Sequence, residues 1–419
     1  MKKFKYQNIN FINLIIASII PLLILGPFFP DLIVSISALI FIYFLLKNNN
    51  FYYFNKKPFI IFLVFCSISS LISLESENIS LSIKSSLFYF RIGVFSCLIW
   101  YLIDKDKRIL NYFYYALILS FLALVIDGYY QYFTGSNILG FKLSGIRVSS
   151  FFKDELIMGS YLSRLFPLLF ALFLVKKKQI YEIYLIGLLF ILVDILIFIS
   201  EERSAFFFLN LSTVFIIILI KEYQKFRLIT FIIAIICIFI LSSNSSKLSD
   251  RMFVSPAKNM GLIESSKDPV IFTPVHDSHY KTAYNMFKDK PLLGHGPKMF
   301  RIICKDEKYA TGVQPCSTHP HNFYVQLLAE TGIVGFLFLF SASSYVVFIS
   351  LRQFKSIIFK KKRPLTDYQV CLLAGILITV WPLIPNGNFF NNWLMVTYSL
   401  PIGFYLQSIY SKKSYKINK

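Results

Sequence analysis

Two histidines flank a proline in STHPHNFYVQLLAETGIVG, residues 317–335, and an apolar stretch follows at once. Imidazole titrates nearer to neutrality than any other side chain, so a histidine at a helix start can take a proton from a hydroxyl. Thr318 or His319 can cap this helix with Pro320 in its first turn, which would place His321 in that turn too. At about 100° per residue, Val325, Leu328, Gly332 and Gly335 return beneath His321. The expectation is an apolar groove that ends at two positions without side chains, where a lipid chain or a helix can approach. Glu330 falls on the opposite side and is expected to pair with an arginine inside the membrane. The positive end of the helix dipole disfavours imidazolium, so His321 should stay neutral and able to act as a base. The plainer alternative is a histidine that only satisfies backbone groups.

The other imidazoles crowd nearby. All five histidines, His276, His279, His295, His319 and His321, fall between 276 and 321. A second set of residues is cationic. Arg203 sits in EERS, between two apolar runs, while Arg147, Lys298 and Arg301 lie in polar segments. Arg91 and Arg164 fall inside apolar runs, where a charge needs a partner; Glu330, Glu155 and Asp194 are the candidates. For Arg203 the structural alternative is a salt bridge to Glu201 or Glu202. A guanidinium fork donates two parallel hydrogen bonds and suits a phosphate. A neutral base beside such arginines could deprotonate an acceptor hydroxyl while they hold a lipid diphosphate as leaving group. That chemistry is sugar transfer from a polyprenyl carrier. No nucleotide fold appears, and GPK at 296–298 lacks P-loop spacing. Cys304 and Cys316 share the same polar segment, so an oxidising compartment would permit a bridge between them. Zinc is the rival, but no C-x2-C or H-x3-H spacing is present, and neither a metal nor a cofactor is expected.

The elements that must hold these groups are membrane helices. The chain has 419 residues, is 56% hydrophobic and has a mean hydropathy of +0.61. Apolar runs of bilayer-spanning length recur throughout. Twelve spans are expected, at 11–29, 31–46, 58–74, 86–103, 109–133, 156–175, 180–200, 204–220, 227–242, 321–351, 368–385 and 389–410. The first lacks a cleavage site and reads as a retained helix. The tenth is over-long and should tilt or protrude. The formal charge of +21 is not a nucleic-acid signal. More than half of the lysines and arginines fall in the short segments facing one side, Arg227 and the tail lysines among them. This is the positive-inside pattern, with both termini cytoplasmic.

The division is then a membrane bundle over 1–242, a polar loop facing outward over 243–320, and a second set of helices over 321–419. Ser242–Ser249 reads as a flexible exit from the ninth helix. Between 276 and 300 a short amphipathic helix is expected, with Tyr280, Ala283, Tyr284 and Phe287 on one face. Pro291 should stop it, and Gly294 and Gly296 should make a turn.

These residues resemble the O-antigen ligase and polymerase superfamily of bacterial inner membranes. His321-Asn322 followed by Gly332-x-x-Gly335 is similar to the ligases' His-Asn signature. ERSAF at 202–206 resembles the family's outer-turn arginine. YKTAYNMFKDKPLLGHGPKMF resembles the segment that opens its catalytic loop, and GIRVSSFFKDELIMGSYLSR the stretch before its middle helices. The resemblance implies an all-α polytopic, GT-C-like protein of about twelve transmembrane helices, with one long periplasmic loop containing short helices. It implies metal-independent, inverting transfer of a glycan from undecaprenyl diphosphate to lipid A-core or to a growing glycan, in contact with membrane lipid. His321 would be the base or would position the acceptor, and Arg203 would grip the donor. His276 or His279 stands where many members carry an arginine, with Lys281, Lys298 or Arg301 as replacements. Arg147, Arg164, Lys298, Arg301, His319, Asn322, Gly332 and Gly335 would complete the substrate site. The ligase form is favoured over the polymerase. Transfer to a protein hydroxyl, or transport of the lipid-linked glycan, are the remaining alternatives.

Overall fold

The structure is a computed structural model that describes residues 2–263 and 271–411. The tail lysines from Lys412 onward, expected as cytoplasmic anchors, and residues 264–270 of the polar loop lie outside the described residues. Among these residues the regular structure is helical apart from two isolated bridges, Ser136 with Lys142 and Ser144 with Arg147. Seven helices are long and apolar enough to cross a bilayer: Phe28–Lys47, Ile79–Lys105, Ile109–Thr134, Met158–Val175, Ile180–Ile199, Gln224–Asn244 and Phe323–Ile358. The shorter apolar helices Asn10–Leu25, Lys57–Ser73, Arg203–Leu219 and Asp367–Thr379 pack among them. Whole faces of the outer helices are bare and apolar, as at Leu39, Ile40 and Tyr43, or Ile229, Ile236 and Phe239. Such surface is tolerable against lipid and not against water. The molecule is an all-α, multi-pass membrane protein.

Met158–Val175 is the hub, buried on every side from Tyr161 to Leu174. Charges inside the bundle pair differently from expectation. Arg91 meets Asp31 at 2.5 Å. Arg227, counted with the basic residues of a cytoplasmic segment, points into the bundle. It is fully buried, with Nη1 and Nη2 donating to the Asp194 carboxylate at 2.8 and 3.1 Å and Nη2 donating to Thr213 Oγ1 at 2.7 Å. A hydropathy window fixes where a boundary residue lies but not where its long side chain points. Ser242–Ser249 is not a flexible exit either. The chain continues through Ser246–Ser249, one π-helical turn at Asp250–Val254, and Ser255–Asn259.

The over-long helix is broken within its length. Gly332 adopts φ 62°, ψ −158° inside Phe323–Ile358. A break inside a membrane protein strands backbone groups that must be satisfied locally. The segment Pro291–Gly296 does this. Ile333 N donates to Pro291 O at 2.9 Å, His295 N to Ala329 O at 3.1 Å, and Gly296 N to Glu330 O at 2.8 Å. The fit is backbone against backbone. A Cβ on Gly332 would strike the Leu292 carbonyl, and one on Gly335 would strike Thr331 Oγ1. These glycines therefore face protein, and the straight groove expected beneath His321 is absent. Gly332→Ala combines this collision with a left-handed backbone, so a loss of at least about 2 kcal/mol is expected. A lowered thermal unfolding midpoint in detergent would register it.

The loop helix spans Pro274–Asp289 and ends before Pro291, with Gly294 (φ 68°) and Gly296 (φ 106°) making the turn. Its buried face is Ser278, His279, Thr282, Ala283 and Met286, while Tyr284 is exposed. The helical period is the expected one, but the face is turned by about one residue. The small side of the helix is the one that can sit against the broken helix. Cys304 and Cys316 form a disulfide with Cα atoms 5.2 Å apart. Cys304 lies in a small loop core with Ala283, Met286, Met299 and Phe300.

Candidate active site

Asn322, not Thr318 or His319, caps the helix that starts at Phe323. Its Oδ1 accepts from Tyr324 N at 2.9 Å and Val325 N at 3.2 Å, and its Nδ2 donates to Pro382 O at 2.6 Å. His321 therefore stands just outside the helix, at φ 59°, a left-handed conformation uncommon for a side-chain-bearing residue. Asn386 N donates to its carbonyl at 2.7 Å, which helps to hold the turn.

Four of the five imidazoles meet here. The His321 ring lies 4.1 Å from His319, 5.5 Å from His279 and 5.6 Å from His276, between centroids. His295 is apart. It reaches Met286 O at 3.1 Å and packs against Tyr309, which ties the loop helix to the turn after it. The hydrogen bonds define the tautomers. Ser317 has one hydroxyl hydrogen, and it goes to His319 O at 2.8 Å. His321 Nε2, 3.2 Å from the same oxygen, must therefore be the donor, which leaves the lone pair on Nδ1. His319 Nε2 donates to Asn386 O at 3.2 Å, and its Nδ1 accepts from Thr318 Oγ1 at 3.0 Å.

Burial, then the neighbouring His319, His276 and His279 rings, push His321 down to about 3. Burial likewise takes His319 down to about 4 and lowers His276 and His279. The cluster is neutral at physiological pH, with burial and crowding as the cause where the helix dipole was the expected one. An unfolded chain takes up protons on these rings near pH 6.5, and the folded loop resists them. Stability is thus full above that value and falls as the pH drops toward about 4 and about 3, where the folded rings protonate. The thermal midpoint should be lower at about pH 5 than at neutrality, and His321→Asn should reduce that difference.

The cationic groups form a second centre at the outer turn. Arg203 is the first residue of Arg203–Leu219, and its Nε is buried without a hydrogen-bond partner. It makes no ion pair with Glu201 or Glu202 among the described residues. Glu202 instead accepts from Gly159 N at 2.6 Å and Ser160 N at 2.9 Å, capping Met158–Val175. Burial drives its carboxyl up to about 7. Arg147 reaches Ser200 O at 3.5 Å, and burial lowers its guanidinium from the usual value.

Arg164 joins the two centres. Its Nε donates to Ser160 Oγ at 3.2 Å and its Nη2 to Asn386 Oδ1 at 2.7 Å, with Phe208 and Tyr398 rings about the guanidinium. Its partner is thus an amide, not Glu330, Glu155 or Asp194. Asn386 in turn holds His319 and the His321 carbonyl. No hydrogen bond or ion pair joins Arg203 itself to a histidine among the described residues. Asn386 was not foreseen, although PNGNFFNN at 385–392 is an amide-rich stretch between apolar helices. Glu330 is fully buried and pairs with no arginine among the described residues. Its carboxylate accepts from Gln326 Nε2 at 2.9 Å and Phe300 N at 3.2 Å. Lys298 and Arg301 lie near it, and burial lowers Lys298. Lys281 is exposed and paired with Asp277 at 2.7 Å. No group of three or more His, Cys, Asp or Glu among the described residues is arranged to hold a metal.

Residues 185–340 match the family model described as O-antigen ligase. The stretch runs from the helix before the outer turn, across the polar loop, to beyond the break at Gly332. No curated protein matches the chain. The resemblance to the O-antigen ligase superfamily is borne out, and the match supports a ligase- or polymerase-like, glycosyltransferase-type membrane enzyme with lipid-linked glycan substrates.

Proposed function

We propose that this chain, similar over residues 185–340 to the O-antigen ligase family, moves a glycan from undecaprenyl diphosphate to a hydroxyl of lipid A-core. The reaction takes place at the periplasmic face of a bacterial inner membrane, with both termini cytoplasmic. The membrane bundle over 1–242 holds the donor lipid, the loop over 243–320 supplies His276, His279 and His319, and the part from 321 onward carries His321 and braces the cluster. His321 Nδ1 accepts the acceptor proton as the acceptor oxygen attacks the anomeric carbon. The bond from that carbon to the diphosphate breaks, the configuration inverts, and the lipid diphosphate departs with the bonding electrons. Arg203 and Arg147 stabilise the charge that develops on it. His319 and His276 keep the base neutral and oriented, Arg164 couples the two centres, and Asn322 anchors the helix start. Lys298 and Arg301 are assigned to the substrate site by the family resemblance.

The observation that carries this reading is the continuous link from the outer turn through Ser160, Arg164 and Asn386 to the His321 carbonyl. The link reaches the turn at Glu202, whose carboxylate accepts from Ser160 N, and it supports a reading in which the base and the cationic donors act in one framework, as concerted transfer requires. The deciding experiment supplies labelled polyprenyl-linked glycan to the purified protein with lipid A-core, and separately without it. Label on the core is expected. Growth of the carrier-bound chain in the absence of core would identify a polymerase instead.

A further inference from the structure

The outer turn holds a third guanidinium. Arg251 lies in the single π-helical turn Asp250–Val254. Such turns carry an extra residue and redirect side chains, and they recur at functional sites. The Arg251 side chain is 40% exposed, and its Nε lies 2.9 Å from Glu201 Oε2. The contact is not aligned as a hydrogen bond, and both Arg251 Nε and the Glu201 oxygens are buried without one. Arg203 Nε is in the same condition. Arg147, Arg203 and Arg251 are close enough to repel one another.

The local carboxylates do not resolve this arrangement. Glu202 is engaged by the backbone of Gly159 and Ser160. Asp250 is at the exposed rim, bonded to Ser255 Oγ at 2.9 Å. Among the described residues Glu201 is ion-paired with Arg251. Three guanidiniums about one turn, two of them with a buried Nε that has no hydrogen-bond partner, fit an anion with several oxygens spread over more than one centre. A single fork grips one phosphoryl group through two parallel hydrogen bonds. Three forks set around the turn supply the donors to hold two linked phosphoryl groups at once.

We propose that Arg251 is the third arm of an anion site shared with Arg147 and Arg203, and that it confers preference for a lipid diphosphate over a lipid monophosphate. This rests on the donor assignment above. The test uses the full chain in nanodiscs and two probes of equal tail, geranylgeranyl diphosphate and geranylgeranyl monophosphate. Wild-type protein should bind the diphosphate more tightly. Arg251→Gln should weaken diphosphate binding about tenfold or more, leave the monophosphate unchanged, and so remove the preference. Arg251→Lys should recover part of it.

Equal weakening of both probes, or no change with either, overturns the proposal. The same loss of preference in Glu201→Gln would also overturn it, since the ion pair and not the ligand would then be what Arg251 serves. A wild-type protein that binds neither probe would instead sink the donor assignment itself. Thermal midpoints of the variants are measured alongside. If Arg251→Gln does not fold, Arg251→Lys decides the matter, because a preference equal to wild type in that variant excludes a role for the guanidinium fork.

Discussion

Replacing His321 with alanine is expected to lower glycan transfer by about 10²- to 10⁴-fold while membrane insertion is unchanged. Nδ1 is the atom left with a lone pair once Ser317 has fixed the hydrogen on Nε2. Without it, the acceptor hydroxyl must attack while still protonated, or lose its proton to water. His321→Asn is the sharper variant. Asparagine tolerates the left-handed backbone at this position better than most residues and can bond to Ser317, but it cannot take a proton. The helix start should survive, since Asn322 caps it independently. Transfer by either variant at the wild-type rate would leave His321 as a turn residue only. The wild-type rate should also hold nearly constant from neutrality down to about pH 5, because the imidazole stays unprotonated over that range. Instability of the loop, which sets in on the acid side, must be monitored in the same samples.

The second large effect is expected at Arg203. Arg203→Ala should reduce transfer on the order of 10²- to 10³-fold, the usual consequence of removing a fixed donor aimed at developing charge. Its Nε is buried with no protein partner, and neither Glu201 nor Glu202 holds it. The loss should therefore appear in transfer more than in thermal stability. Arg203→Lys should recover only part of the rate, because an ammonium supplies the charge without the planar fork. A variant that unfolds early yet turns over normally when folded would identify Arg203 as a structural residue of the turn.

Much of this protein was legible in local properties of its chain. Runs of apolar residues must be buried in lipid or protein, so they mark the membrane helices wherever they occur. Pro291, Gly294 and Gly296 punctuate the loop because their backbone preferences act within one or two residues. The gathering of histidines between 276 and 321 and the cationic turn at Arg203 were visible for the same reason: a polar residue in so apolar a chain has few places to go. Residue chemistry alone suggested pairing those two features, and the family resemblance added the identity of the donor and acceptor.

What required the tertiary structure involves partners distant in sequence. A glycine in an apolar run reads alike whether the helix passes through or breaks; at Gly332 it breaks because Pro291–Gly296 arrives to take the stranded hydrogen bonds. The buried face of the loop helix is set by what it docks against, not by its own period. Arg227 and Asp194, or Arg164 and Asn386, meet only because helices far apart along the chain pack side by side, and a long guanidinium stem lets the choice fall on either of several neighbours. Local sequence thus dictates which groups must leave the lipid. Three-dimensional packing alone selects the partner each of them finds, because the energy of a buried polar group depends on the atoms a few ångströms away and not on the residues beside it in the chain.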